Sequence, residues 1–115
     1  MNLPNAEQAR VELGKVRDYL LNVAHPDGAA KARFFMSFGF RTGDLDLLIE
    51  ALRRHGMAYP VAEAVDSPFG RRYSVDGALE SPDGRHPAVR TVWIVEDEGA
   101  APRLITAHPI RKRES

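Results

Sequence analysis

The sequence contains no cysteine, which excludes a disulfide framework and any thiolate metal site. None of its apolar runs approaches the roughly 20 residues that a membrane-spanning helix needs. The opening MNLPNAEQAR has neither the basic nor the apolar stretch of a secretory signal. The cytoplasm is therefore the expected compartment, reached directly or as the passenger of a larger secreted protein delivered into a target cell. Charge of one sign is lacking too: 16 Lys and Arg balance 16 Asp and Glu, so the long-range pull of a basic domain on nucleic acid is missing. No Walker-type phosphate loop, GxGxxG or GxSxG occurs. The four histidines, His25, His55, His86 and His108, form no paired metal-binding motif, and neither metal nor cofactor is expected.

What is present reads as one soluble domain over residues 1–115. Hydrophobic residues make up 43% and charged residues 28% of the chain, ordinary for a globular protein with one core. The period of the hydrophobic pattern changes near residue 58 and divides the chain into a helical part at about 10–57 and a sheet part at about 58–109. A basic tail follows at 110–115. That tail and the pairs Arg53–Arg54 and Arg71–Arg72 read as solvated faces or a frayed end.

Leu13, Val16, Leu20 and Leu21 recur at helical spacing, after a short extended piece ARVE, and Asn22 and Pro26 close this first helix. A second helix runs from Gly28 to near Gly39, with Phe34, Phe35 and Phe38 on its apolar side and Lys31 one turn earlier. The third covers RTGDLDLLIEALRRHG. Thr42 or Asp44 caps it, Leu45, Leu48, Ile49 and Leu52 form its buried stripe, and Gly56 stops it. His55 falls in its last turn as a cation suited to the helix dipole.

Beyond residue 58 four stretches alternate with period two: YPVAEAVDS, RRYSVDGALES, PAVRTVWIVED and RLITAHP. SPDGR at 81–85 is a strong turn, and His86 follows it as a turn residue. Short connections make the four strands an antiparallel meander. The expected fold class is α+β, with about three N-terminal helices packed on one face of a four-stranded sheet. The third strand is expected at the centre, because both of its faces are largely apolar. The sheet's other face stays open, where Arg72, Thr91, Thr106 and His108 can converge.

A mixture of His, Lys, Arg, Tyr and Thr without a cofactor signature suits a metal-independent ribonuclease. Such an enzyme needs a base for the ribose 2′-hydroxyl, an acid for the leaving 5′-oxygen and donors around the transition state. His25 can serve as acid or base. Lys31 and Arg72 can hold phosphate, and Thr91 or Tyr73 can donate a hydrogen bond. Each residue also has a plainer reading: His25 bonded within its loop, Lys31 on an exposed helix face, Tyr73 in the core.

Four blocks, DYLLNxxHPxGxxKAxxF at 18–35, GxRYxVD at 70–76, GxxxxVRTxWI at 84–94 and PRLxT at 102–106, together resemble a small bacterial domain family. That family supplies the C-terminal toxin module of polymorphic and contact-dependent toxins and also occurs as short free-standing proteins. Its members are similar to the barnase, EndoU, colicin and RelE-like group of metal-independent ribonucleases. The resemblance implies an active site on the open sheet face and the adjoining helix, at His25, Lys31, Arg72, Tyr73, Arg90 and Thr91; strand alternation adds Thr106 and His108 as substrate-binding candidates on that face. It further implies RNA, and tRNA in particular, as substrate and a cognate immunity protein or antitoxin as partner. Zero net charge is low for a domain that holds RNA, so presentation of tRNA by elongation factor Tu is a further expectation. The alternative is a non-catalytic module whose sheet edge or open face docks a partner protein.

Overall fold

A computed structural model describes residues 1–110; of the basic tail, residues 111–115 lie outside the described residues. A single 3-10 turn (Ala6–Gln8) leads to α1 (Leu13–Lys15), which runs straight into a π-helical turn (Val16–Leu20). Next come α2 (Ala29–Ser37), α3 (Leu45–Ala58) and the strands β1 (Val61–Ser67), β2 (Gly70–Ala78), β3 (Ala88–Val95) and β4 (Arg103–Pro109). The strands pair antiparallel in the order β1-β2-β3-β4. This is the α+β meander that the change of hydrophobic period implies, with β3 inside the sheet.

The helices cover one sheet face. Val75 of β2, Val89 and Trp93 of β3 and Leu104 and Ala107 of β4 are buried against Val16, Leu20, Leu21, Phe35, Leu48 and Leu52. Full burial of each large apolar side chain contributes about 1.5–3 kcal/mol. This one shared cluster fixes where the helical segment meets the sheet. The extended piece before α1 also has a place: Arg10 accepts a hydrogen bond from the Leu104 amide at 2.9 Å and donates to the Pro102 carbonyl at 2.8 Å. It thereby covers the start of the edge strand β4.

Several local expectations change. The first helix is not a regular α-helix over 13–21. Its middle opens into the π turn, closed by a 2.9 Å bond from the Leu21 amide to the Val16 carbonyl, and this lets Val16, Leu20 and the adjacent Leu21 all be buried. Gly56 does not stop α3, which continues to Ala58. A Cβ there would lie 2.8 Å from the Trp93 indole, so its role is close packing of helix on sheet. Asp44 occupies the N-cap position of α3, but its side chain makes no capping bond.

His55 is not a surface cation. It is 2% exposed and bonds through Nε2 to the carbonyls of Val89 at 2.8 Å and Gly77 at 3.1 Å. Carbonyls only accept, so the proton sits on Nε2, and Nδ1 receives the Thr91 hydroxyl at 3.0 Å. Burial pushes the His55 pKa below its ordinary value. Thr91 accordingly lies beneath the helices beside Val89 and Trp93, not on the open face. It is fully buried and accepts the Trp93 indole N–H at 2.8 Å. The reason is strand alternation: Thr91 shares the face of its neighbours two residues away on either side.

Candidate functional site

Where the helical segment meets β4, four side chains gather round Tyr19, a residue of the π turn. Its hydroxyl lies 3.1 Å from Thr106 Oγ1. Lys15 Nζ and Lys31 Nζ stand 5.3 and 5.4 Å from the ring centre, and the His25 ring meets it edge-on at 5.0 Å. Lys15 sits one helical turn before Tyr19, and Lys31 comes from α2. Partial burial opposes ionisation of the phenol. The Thr106 hydrogen bond and then the positive charges of Lys31 and Lys15 outweigh it, and the Tyr19 pKa falls below the usual tyrosine value. π turns inside helices recur at functional sites, and here one carries the central residue of the cluster.

The loop HPDG is shaped to lie on Tyr19. Nδ1 of His25 accepts the amides of Asp27 and Gly28, each at 3.0 Å, which folds the loop back at the start of α2. Amides only donate, so Nδ1 holds no proton and the ring's hydrogen is on Nε2, which is left as a donor. Gly28 is buried against the Tyr19 backbone, where a Cβ would come within 2.3 Å of the Tyr19 carbonyl. Any side chain at 28 would lift the loop, and His25 with it, off the phenol. Lys31 Nζ lies 3.4 Å from the Asp27 carbonyl, a weak contact that leaves its charge available to a ligand.

Thr106 joins this cluster to the open sheet face. His108 lies two residues along β4 on the same face, about 7 Å away, and Ala107 between them is buried on the other. The Pro109 carbonyl lies 3.2 Å from His108 Nδ1, so that nitrogen carries the proton and the lone pair is left on Nε2. No described residue bonds His108 Nε2.

Three of the residues nominated from sequence thus converge, His25, Lys31 and Thr106, and His108 flanks them. The others lie elsewhere. Arg72 is exposed on the open face, across from Ile94, two strands from β4. Arg90 pairs with His108 across the ladder, but its guanidinium is held in a fork by Asp76 at 2.7 and 2.9 Å, with Glu63 at 3.5 Å. Its partner Asp76 is held below the usual carboxylate range by that fork. A phosphate at Arg90 would have to displace a carboxylate. Tyr73 is 6% exposed and belongs to the core. Thr91 is buried as described.

Sequence reasoning passed over Tyr19 and Lys15. Their spacing of four on a helix was a readable signal of neighbouring side chains, but the apolar spacing of Leu13, Val16 and Leu20 makes the segment read as core.

Two adjoining clefts of about 370 and 570 Å³ lie on the far side of α3 and share no lining residue with the Tyr19 cluster. Asp44, Asp46, Glu50 and Glu80 line the first together with Arg54, which pairs with Glu80. Among the described residues no group of three or more His, Cys, Asp or Glu is placed to hold a metal ion, and no helix is long and apolar enough to cross a membrane.

The family model described as a domain of unknown function, DUF6883, matches residues 2–111. No curated protein matches the chain. Among solved structures, the chain is similar to one in a contact-dependent growth inhibition toxin–immunity protein complex from Klebsiella pneumoniae 342. The TM-score is 0.69 at 15% identity, over 96% of this chain and 100% of that one. At that identity the likeness is one of fold.

Proposed function

We propose that this chain, which belongs to the DUF6883 family, is a toxin-type endoribonuclease that cleaves RNA without a metal ion at the seam between Tyr19 and β4. The observation that carries this reading is the gathering of Lys15, Lys31 and the His25 ring round the Tyr19 ring, whose hydroxyl pairs with Thr106. Two ammonium groups and an imidazole N–H donor around one phenol match the needs of a phosphodiester whose charge grows in the transition state. In this reading Lys31 and Lys15 hold the phosphate, His25 donates to its oxygens, and Thr106 orients the Tyr19 hydroxyl. Arg72, exposed two strands away, guides the RNA backbone across the open face. The likeness to barnase, EndoU, colicin and RelE-like ribonucleases stays part of the proposal. So does a cognate immunity protein, which the shared fold with a chain of a toxin–immunity complex supports.

The test is incubation of the purified chain with bulk bacterial tRNA in a metal chelator, followed by a denaturing gel. Discrete fragments are expected from wild type, with the rate at least tenfold lower for a folded Lys31→Ala variant. Intact tRNA from well-folded wild type at high enzyme concentration contradicts the reading and leaves the protein-docking module.

A further inference from the structure

We propose that Tyr19 is the general acid of this site and His108 its general base, placed on either side of one phosphodiester by Thr106. The assignment rests on the ribonuclease reading and adds to it the two groups that move protons.

Protonation states follow from partners. His25 cannot take a proton at Nε2 while its Nδ1 lone pair is committed to the amides of Asp27 and Gly28, because the neutral ring already carries its hydrogen on Nε2. His108 has the opposite tautomer: Nδ1–H is turned to the Pro109 carbonyl, and the Nε2 lone pair is open to a hydroxyl. Of the two histidines, only His108 is therefore set to accept. Tyr19 is set to donate. Its hydroxyl lies 3.1 Å from Thr106, and the two lysines beside it stabilise the phenolate left after proton loss. Thr106, bonded to Tyr19, and His108 stand about 7 Å apart along one face of β4, so a phosphate bound over that face lies between the acid and the base.

The step balances without a co-reactant. His108 Nε2 takes the 2′-hydroxyl proton as the 2′-oxygen forms a bond to phosphorus. The bond from phosphorus to the 5′-oxygen breaks, and the 5′-oxygen leaves with the Tyr19 proton. The products are a 2′,3′-cyclic phosphate and a 5′-hydroxyl. Solvent then returns a proton from the His108 imidazolium to the Tyr19 phenolate. Lys15, Lys31 and His25 face Tyr19. Arg90 lies opposite His108, with Asp76 and Glu63 behind it.

The experiment is the pH dependence of cleavage of bulk tRNA by wild type, Tyr19→Phe and His108→Gln, each checked for fold by circular dichroism. Wild type is expected to give a bell. Its acid limb follows the histidine, and its alkaline limb lies below the ordinary tyrosine value of about 10. Tyr19→Phe is expected to lose the alkaline limb and about 100-fold in rate, and His108→Gln to lose the acid limb. A difference titration of tyrosinate absorbance between wild type and Tyr19→Phe reads the same ionisation without turnover, and a Tyr19 titration at or above the ordinary value contradicts the assignment. Cleavage by Tyr19→Phe within threefold of wild type, with its alkaline limb kept, overturns the acid–base assignment and leaves the ribonuclease reading standing. No cleavage by wild type overturns both.

Discussion

Single residues separate the site from the scaffold through their hydrogen-bond partners. Thr91 and Thr106 stand on neighbouring strands, yet the first bonds His55 and Trp93 inside the core and the second bonds Tyr19 at the edge. Thr91→Val is isosteric but strands the His55 Nδ1 and the Trp93 indole N–H in a dry interior. Unsatisfied buried groups cost about 1–3 kcal/mol, so urea denaturation should show a loss of that order with tRNA cleavage per folded molecule unchanged. Lost cleavage with unchanged stability would move Thr91 into the site. His25 and Lys31 were nominated by loop chemistry and by resemblance, and the structure brings them to one place. Tyr19 was not nominated, because a tyrosine in a helix looks the same in sequence whether it faces the core or a ligand. What distinguishes it is a partner 87 residues away.

Among the elements, the regular ones were legible and the irregular ones were not. Alternation and turn residues placed all four strands, and the apolar stripe of α3 placed that helix. The π turn at Val16–Leu20 has no marker in the residues themselves; it follows from burying Leu20 and Leu21 together. Gly56 reads as a helix end by propensity, yet it serves the contact of α3 with Trp93. His55 ties the same joint together. Its folded pKa is depressed, so the folded protein keeps the ring neutral where the unfolded chain binds a proton. The stability this represents is fully present above the unfolded value near 6.5 and is lost as pH falls through that value toward the folded one. Carboxylates act lower: Asp83, which accepts the Arg85 amide and the Ser81 hydroxyl, is held at about 2, so its contribution is lost as pH falls through the ordinary value of 3.8 toward that folded value. The urea midpoint should therefore drop between about pH 7.5 and about pH 5. A flat midpoint over that window contradicts the buried, neutral His55.

In the whole molecule, charge balances in total but is unevenly placed. Lys15 and Lys31 flank the Tyr19 seam, while Asp44, Asp46, Glu50 and Glu80, with Arg54, line a cleft along α3. A neutral total gives weak sequence-independent affinity for RNA, so under the proposed function recognition rests on this local arrangement. Expression of wild type and of a Lys15→Ala, Lys31→Ala double variant in bacteria, with total RNA resolved on a denaturing gel, tests the account most directly. It expects arrested growth and discrete tRNA fragments with wild type, and intact tRNA with a folded double variant. Identical fragments from both proteins, or normal growth and intact tRNA with abundant folded wild type, would contradict it.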